Sequence, residues 1–480
     1  MPKSIRVNYI YNLVNTITNT LFPLITFPYV THIMGAEGFG RVNFLNSIIS
    51  YIIMLAGLGI PLYAIREIAR VRNNPKILNQ TTAEILVLHT ILTLVGYVIV
   101  LLLCFIVPKI YQDAYLFLLL SSSLVFTTIG CEWFYQGIED FKYVTIRAVI
   151  VRVICIILLF IFVKSKDDIM LYGLYCVLGT VGNNLLNFLH LKKYINRKYI
   201  DIKNFNPIRH LKSVSMVFIL IVVSTVYISL NTVLLGFLKN STAVGYYTAG
   251  IKIFTILFGI INSLTSILIP HFSNLIALKK EEEFRIIVQK VYNFVIAISF
   301  PLTIGLIFVS PYAIILLCGE DFRFAILVSQ ITAPMLFIVG LSNVFGMQIL
   351  YPLGKINIII KSVIIASVVD ILTIIILSPR LSHVAAALGY LLAEITATLF
   401  EYLMGKKYIP IMFFNKGVSN YIIASIIMAV VLYFVTKIES TNLFMTISIL
   451  SAGLISYLLS LLILKDSLLK EGWEVIKSKL

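Results

Sequence analysis

Apolar residues along this chain gather into uninterrupted runs of about twenty, repeated from end to end and parted by short polar stretches. At about 1.5 Å of rise per residue, such a run crosses the roughly 30 Å hydrocarbon core of a bilayer. A spanning backbone must satisfy its own hydrogen bonds, which leaves helices or a closed barrel. The runs are continuous and do not alternate with period two, so they predict helices. The expected helices are 8–33, 41–65, 80–107, 114–137, 143–163, 168–191, 213–238, 243–276, 288–317, 325–351, 357–378, 383–405, 418–436 and 442–464. The fold expected is an all-α polytopic membrane protein of about fourteen transmembrane helices. The first run follows Met1–Arg6 and lacks a short apolar core ending at a small-residue cleavage site, so it is expected to be a retained helix rather than a signal peptide.

The polar stretches sort by charge. With the N-terminus assigned to the cytoplasm, 28 of the 38 Lys and Arg fall on alternate, inside stretches. Eight fall outside: Arg41, Lys109, Lys164, Lys166, Lys239, Arg323, Arg380 and Lys437. A lost or invented helix would invert every later loop, so a bias that persists to the C-terminal tail implies an even number of spans and both termini in the cytoplasm. The longest connection, roughly 192–212, is basic and cytoplasmic. It suggests two six-helix lobes, 1–205 and 206–407, followed by two C-terminal helices and a tail over 408–480. An internal echo agrees: Ala36-Glu37-Gly38-Phe39-Gly40 precedes the second helix and Ala243-Val244-Gly245-Tyr246-Tyr247 the eighth. Gly59-Ile60-Pro61 and Leu268-Ile269-Pro270 lie at similar depth. The lobes are therefore expected to be a pseudo-two-fold parallel repeat.

Composition fits this picture. The chain is 59% hydrophobic and only 12% charged, with a mean hydropathy of +0.98; soluble domains carry roughly 25% charged residues. A net charge of +16 suits basic loops against anionic headgroups, and no soluble basic domain exists to carry nucleic acid. The five cysteines, Cys104, Cys131, Cys155, Cys176 and Cys318, sit in or beside apolar runs with no metal spacing; packing is their expected role. Neither a phosphate-cradling GxxxxGK[ST] loop nor zinc-spaced histidines occur, and no Ser/His triad pattern emerges, so no cofactor, metal or built-in ATPase is expected.

Two cations, Arg152 and Lys252, lie within helices and are not explained by orientation. An ionisable group at mid-helix costs about 2.5–3.5 kcal/mol on insertion scales, so it needs a partner, a wet cavity or a function. In a cavity between the lobes, Arg152 and Lys252 would make the lining cationic and suit a diphosphate. The alternative is internal ion pairing, of Arg152 with Glu132 or Lys252 with Asp370. Arg147 is expected to snorkel to the cytoplasmic surface. Asp370 and Glu394, midway along the eleventh and twelfth helices, are candidates for ion coupling or structural acceptors. In the first helix Asn8, Asn12, Asn15 and Asn19 form one stripe, facing either sugar hydroxyls or a neighbouring helix. Pro23 and Pro28 then predict a bend. Most aromatics, such as those in Glu132-Trp133-Phe134-Tyr135-Gln136, are expected in interfacial belts.

The segment Met34-Gly35-Ala36-Glu37-Gly38-Phe39-Gly40-Arg41-Val42-Asn43-Phe44, with Gly57-Leu58-Gly59-Ile60-Pro61 and Ala64-Ile65-Arg66-Glu67-Ile68-Ala69-Arg70, resembles the polysaccharide transporter family. Its members include Wzx-type O-antigen flippases, in the superfamily of multidrug efflux proteins and the lipid II flippase. Val244–Lys252 and Ile269-Pro270 are similar to its second-lobe counterpart. The resemblance implies a non-enzymatic, alternating-access flippase. It would carry undecaprenyl-diphosphate-linked oligosaccharide from the cytoplasmic to the periplasmic leaflet of a bacterial cytoplasmic membrane, for O-antigen or capsule-like polysaccharide. Lipid-linked oligosaccharide and the bilayer are its implied partners, with other polysaccharide-assembly membrane proteins as further candidates. The resemblance also implies that the last two helices help to cradle the lipid tail, and that Gly38, Gly40 and Arg66 serve tight turns and headgroup contact. Two alternatives remain. A cation-coupled multidrug antiporter predicts an acidic cavity and usually twelve spans. A membrane polymerase or glycosyltransferase predicts a large external loop, which this chain lacks.

Overall fold

The computed structural model describes residues 5–266, 268–438 and 440–466; side chains at 5–10, 12, 13, 16, 17, 19–21, 197, 219–228, 260, 263–266 and 270 lie outside that description. Among the described residues the chain is helical, without strands. The elements are α1 (Ile5–Gly57), α2 (Ile60–Val71), α3 (Pro75–Ile106), α4 (Pro108–Tyr111), α5 (Ala114–Gly130), α6 (Glu132–Gly137), α7 (Phe141–Phe162), α8 (Ile169–Leu191) and α9 (Leu211–Leu238). They continue with α10 (Ser241–Ser266), α11 (Ile269–Ala277), α12 (Glu281–Cys318), α13 (Ala325–Thr332), α14 (Met335–Ser342), a π-helical turn (Asn343–Leu350), α15 (Ile356–Leu381), α16 (His383–Gly405), α17 (Lys416–Val435) and α18 (Asn442–Ile463). Eleven helical segments among the described residues are long and apolar enough to cross a membrane. The expectation of a polytopic helical membrane protein is met.

Where helices start and break follows from particular residues. Asn74 caps α3 by accepting from the backbone N–H of Lys76 and Ile77, with Pro75 in the first helical position. Asn415 and Thr441 cap α17 and α18 in the same way. At 53 residues α1 is two helices joined end to end. Its continuity is broken at Gly35, whose φ of 62° and ψ of −179° leave the helical region. Gly59, at φ 83°, separates α1 from α2. A Cβ there would lie 2.7 Å from the Phe218 backbone nitrogen and 2.9 Å from the Val214 carbonyl oxygen, so only glycine admits α9 this close.

The chain forms two compact units, Met1–Phe237 and Leu238–Leu480. In the first, Ile60, Tyr63, Ile68, Trp133, Phe134, Tyr135 and Val144 pack into a core that also takes Val214 of α9. In the second, α12 is the spine: Met428 and Leu432 of α17 and Ile449 and Tyr457 of α18 pack with it, and the Tyr457 hydroxyl donates to the Ala297 carbonyl at 2.6 Å.

The basic linker after α8 folds back onto the N-terminal end of α3. Asp201 exchanges two bonds with the Gln80 side chain, N–H to Oε1 at 2.8 Å and Nε2 to the carbonyl at 3.4 Å. The second unit repeats the device: after α16, Met412 exchanges two bonds with Gln289 on α12, at 2.7 and 3.1 Å. Gln80 and Gln289 are separated by 209 residues, as are Pro61 and Pro270. At the same separation, residues 197–206 and 406–415 share six of ten identities: Lys198/Lys407, Tyr199/Tyr408, Ile200/Ile409, Ile202/Ile411, Phe205/Phe414 and Asn206/Asn415. Both segments open with a 3-10 turn. The clamped residue shifts because Pro410, opposite Asp201, has no N–H to offer; the pair forms two residues later.

Candidate functional site

The first unit encloses a cavity of about 520 Å³. Its wall combines Pro61 and Ile65 of α2, His89 of α3, Thr127 of α5, Glu132, Trp133 and Gln136 of α6, Arg152 of α7, and Cys176, Gly179, Thr180, Asn183 and Asn184 of α8. The break between α5 and α6 makes this wall possible. Cys131 takes a left-handed conformation (φ 45°) and redirects the chain. Gly130, just before it, lets Asn184 approach: a Cβ there would overlap the Asn184 side chain.

Arg152 is half-buried in this wall and donates to Thr18 Oγ1 at 2.7 Å and Asn15 Oδ1 at 3.2 Å. The structure thus brings together two of the residues singled out from sequence, Arg152 and Asn15. Asn8, Asn12 and Asn19 have side chains outside the described residues. Glu132, considered above as a partner of Arg152, acts electrostatically on both Arg152 and its neighbour Arg147. Arg147 places Nη2 3.8 Å from Glu132 Oε2 and donates to Asn187 Oδ1. It is buried and does not snorkel, which corrects the expectation for that residue: Glu132 and Asn187, on α6 and α8, supply polar partners that the lipid interface would otherwise provide. Trp133, Phe134 and Tyr135 are likewise core residues rather than an interfacial belt. The Tyr135 hydroxyl donates to the Asn187 carbonyl at 2.5 Å, holding α6 against α8.

Two of the cations counted outside have structural work in this unit. Arg41 forms a bidentate ion pair with Asp113, and Lys109 donates to the carbonyls of Gly236 and Phe237 at 2.9 and 2.8 Å.

The second unit holds the other residues read from sequence. Lys252 is partly buried on α10. Asp370 on α15 is fully buried and presses on α16, where a Cβ on Gly389 would lie 2.6 Å from its Oδ1. Glu394 is buried on α16. Sequence reasoning missed Glu401, two turns beyond Glu394 on the same face. It is buried and accepts from Ser342 and Ser362, both at 3.0 Å. The π-helical turn lies alongside, with Gly346 close to the Glu401 carboxylate and the buried Gln348 side chain lacking a partner among the described residues. An i, i+7 reading from Glu394 would have found Glu401. Alongside α12, α17 and α18, a further cavity of about 640 Å³ is apolar, with Leu302, Gly305, Met428, Ile449 and Leu454 in its wall.

Membrane-crossing helices around a polar, arginine-bearing cavity define a polytopic helical membrane protein. Residues 5–276, more than half the chain, match the model of the family described as polysaccharide biosynthesis protein, and the chain belongs to that family. It is 26% identical over 398 residues to a protein of Escherichia coli (strain K12) named as an O-antigen transporter, covering 82% of this chain and 95% of that protein. A protein of the same name from Shigella dysenteriae is 26% identical over 359 residues, covering 74% of this chain and 88% of that protein. Among solved structures, the fold is similar to lipid II flippase MurJ in an inward closed conformation, with a TM-score of 0.77, 15% identity and coverage of 94% of this chain and 98% of that one. It is also similar to an inward-facing multidrug resistance transporter of the MATE family, with a TM-score of 0.62, 16% identity and coverage of 83% and 98%. The family expected from Met34–Phe44 is borne out, and the relatives carry the names of transporters and flippases rather than of catalysts.

Proposed function

We propose that the protein is a flippase for undecaprenyl-diphosphate-linked oligosaccharide, moving repeat units of an O-antigen or capsule-like polysaccharide from the cytoplasmic to the periplasmic leaflet of a bacterial cytoplasmic membrane. The observation that carries this reading is Arg152, placed in the wall of a polar cavity inside a membrane-spanning unit. A guanidinium there offers fixed donors to phosphate oxygens where solvent screening is weak. Family membership and relatives named as O-antigen transporters support the cargo class. Lys252 is the second cation assigned to the diphosphate, and Asn15, with Asn8, Asn12 and Asn19, to sugar hydroxyls. The apolar cavity beside α17 and α18 supports a place for the lipid tail. Asp370 and Glu394, joined by Glu401, are the groups assigned to ion coupling, since buried carboxylates change their proton or cation occupancy at a cost the membrane gradient can meet. The two repeats, 1–205 and 206–407, are assigned as the rocking lobes, with 408–480 appended and both termini cytoplasmic.

Deleting the gene should leave lipid-linked repeat units on the cytoplasmic side. Normal surface polysaccharide in a deletion strain free of redundant transporters would overturn the proposal. Charge reversal, Arg152→Glu or Lys252→Glu, should abolish complementation while the protein still inserts; full complementation by both variants would remove the cationic-lumen mechanism. The antiporter alternative draws on the buried carboxylates and the MATE-like fold, and predicts drug resistance on overexpression that is lost in Glu394→Gln.

A further inference from the structure

Arg152 accounts for one part of the cavity wall in the first unit. The rest is built from neutral hydrogen-bonding groups, and three of their atoms are buried without a partner among the described residues: His89 Nδ1, Trp133 Nε1 and the Asn183 side-chain oxygen. His89 and Trp133 are each only 3% exposed. Buried polar atoms are normally paired within the protein. Three such atoms from three different helices, all lining one cavity, mark a wall whose complement is a ligand. Their chemistry is mixed: Trp133 can only donate, the Asn183 oxygen only accepts, and the imidazole nitrogen does either according to tautomer. Asn183 is already oriented, since its Nδ2 donates to the Gly179 carbonyl at 2.7 Å.

Glu132 adds charge selection. Its carboxylate is 44% exposed, lies 3.8 Å from buried Arg147 and accepts from Gln136 at 3.3 Å. A carboxylate presents acceptor positions to paired hydroxyls while repelling another carboxylate. At about 520 Å³ the space falls in the range of small-ligand pockets, about 300–1,000 Å³, and suits a monosaccharide better than a whole repeat unit. Resting on the flippase reading, we infer that this cavity is a subsite for one uncharged pyranose of the headgroup, held by His89, Trp133, Asn183 and Glu132, and that it discriminates against uronic acids.

The chain has two tryptophans, Trp133 and Trp473, so Trp473→Phe leaves Trp133 as the only indole reporter. In that background, purified full-length protein in nanodiscs is titrated with free N-acetylglucosamine, N-acetylgalactosamine, glucose, galactose, glucuronic acid and inorganic pyrophosphate. The expected result is a saturable change in Trp133 emission with at least one neutral sugar, and about tenfold weaker binding of glucuronic acid. His89→Ala and Asn183→Ala should each weaken the neutral sugar about tenfold, the loss of roughly one buried hydrogen bond, and leave the pyrophosphate response intact. Two separate variants guard against a folding defect in either. Absence of a saturable response to every neutral sugar, or equal binding of glucuronic acid, overturns the subsite. A pyrophosphate response abolished by Arg152→Ala, without any sugar response, defeats the subsite and spares the headgroup reading. Normal polysaccharide in the deletion strain defeats the flippase reading whatever the titration shows.

Discussion

Arg147 and Arg152 lie five residues apart on α7, yet one is locked and the other faces a cavity. Arg147 is held by Asn187 and Glu132, and removing one partner of a buried charge strands the other. Asn187→Ala should therefore cost about 2 kcal/mol, the range for a hydrogen bond to a charged group, seen as a lowered unfolding midpoint in detergent. A midpoint equal to wild type would show that Arg147 finds another acceptor. The sequence pointed to Arg152 because orientation could not explain it, and Asn15 because four amides shared a stripe. It could not pair Arg147: Glu132 and Asn187 are 15 and 40 residues away, and only the packing of α6 and α8 brings them together. The sequence places Trp133 in an aromatic belt and gives His89 no spacing that marks it, because a single sequence shows residue type but not the wall it joins.

At the scale of elements, the breaks matter more than the helices. Long apolar runs made most helices legible, and the gap expected between 33 and 41 takes in the glycine at 35, whereas the helix expected over 41–65 breaks at the glycine at 59. The turn at Cys131 carried no such signal, since a non-glycine residue rarely adopts a positive φ. At Gly59 the requirement is double: a left-handed backbone, and α9 within contact of the missing side chain. Gly59→Ala should cost about 3 kcal/mol, summing left-handed strain and overpacking, and should lower the yield of folded protein in a detergent thermal-shift assay. Gly57→Ala is the control, because a Cβ there meets only ordinary contact with Pro61 at 3.9 Å. Equal losses from both would mean that helix propensity, rather than the approach of α9, is what glycine serves here.

For the whole molecule, the informative piece is the linker after α8. Glu84, fully buried, accepts from Arg209 Nε at 2.6 Å, the Asn206 N–H at 3.1 Å and Gln80 at 2.7 Å, while His210 Nε2 lies 3.2 Å away. The Tyr63 hydroxyl meets His210 Nδ1 at 2.6 Å. A neutral imidazole fits this arrangement, with Nδ1 against the Tyr63 hydroxyl and Nε2 against Glu84 and, at 3.3 Å, the Arg209 Nε–H. Burial lowers the His210 pKa from its ordinary 6.5; Glu84 and Glu67 pull it upward, Arg209 downward, and burial prevails. A depressed folded value means that the linker's attachment is at full strength above pH 6.5 and weakens as pH falls from there to the folded value. Hydrogen exchange over residues 196–210 should accelerate between about pH 7.5 and about pH 5.5 beyond the intrinsic pH effect. His210→Gln, which does not titrate, should abolish that excess; an unchanged excess would exclude His210. The linker's length and charge were legible in the sequence, but its anchorage was not, since nothing in a single sequence ties Gln80 and Glu84 to a segment so far along the chain.

The paired glutamine clamps also bear on ancestry. Gln80 and Gln289 grip backbone, not side chains, so selection on the clamp alone would let the gripped segments drift freely; yet six of ten residues still coincide. Such agreement, at one constant offset that also relates Pro61 to Pro270, is the trace of a tandem gene duplication. In each copy the same Lys-Tyr-Ile segment leads into the next helix, α9 in the first and α17 in the second.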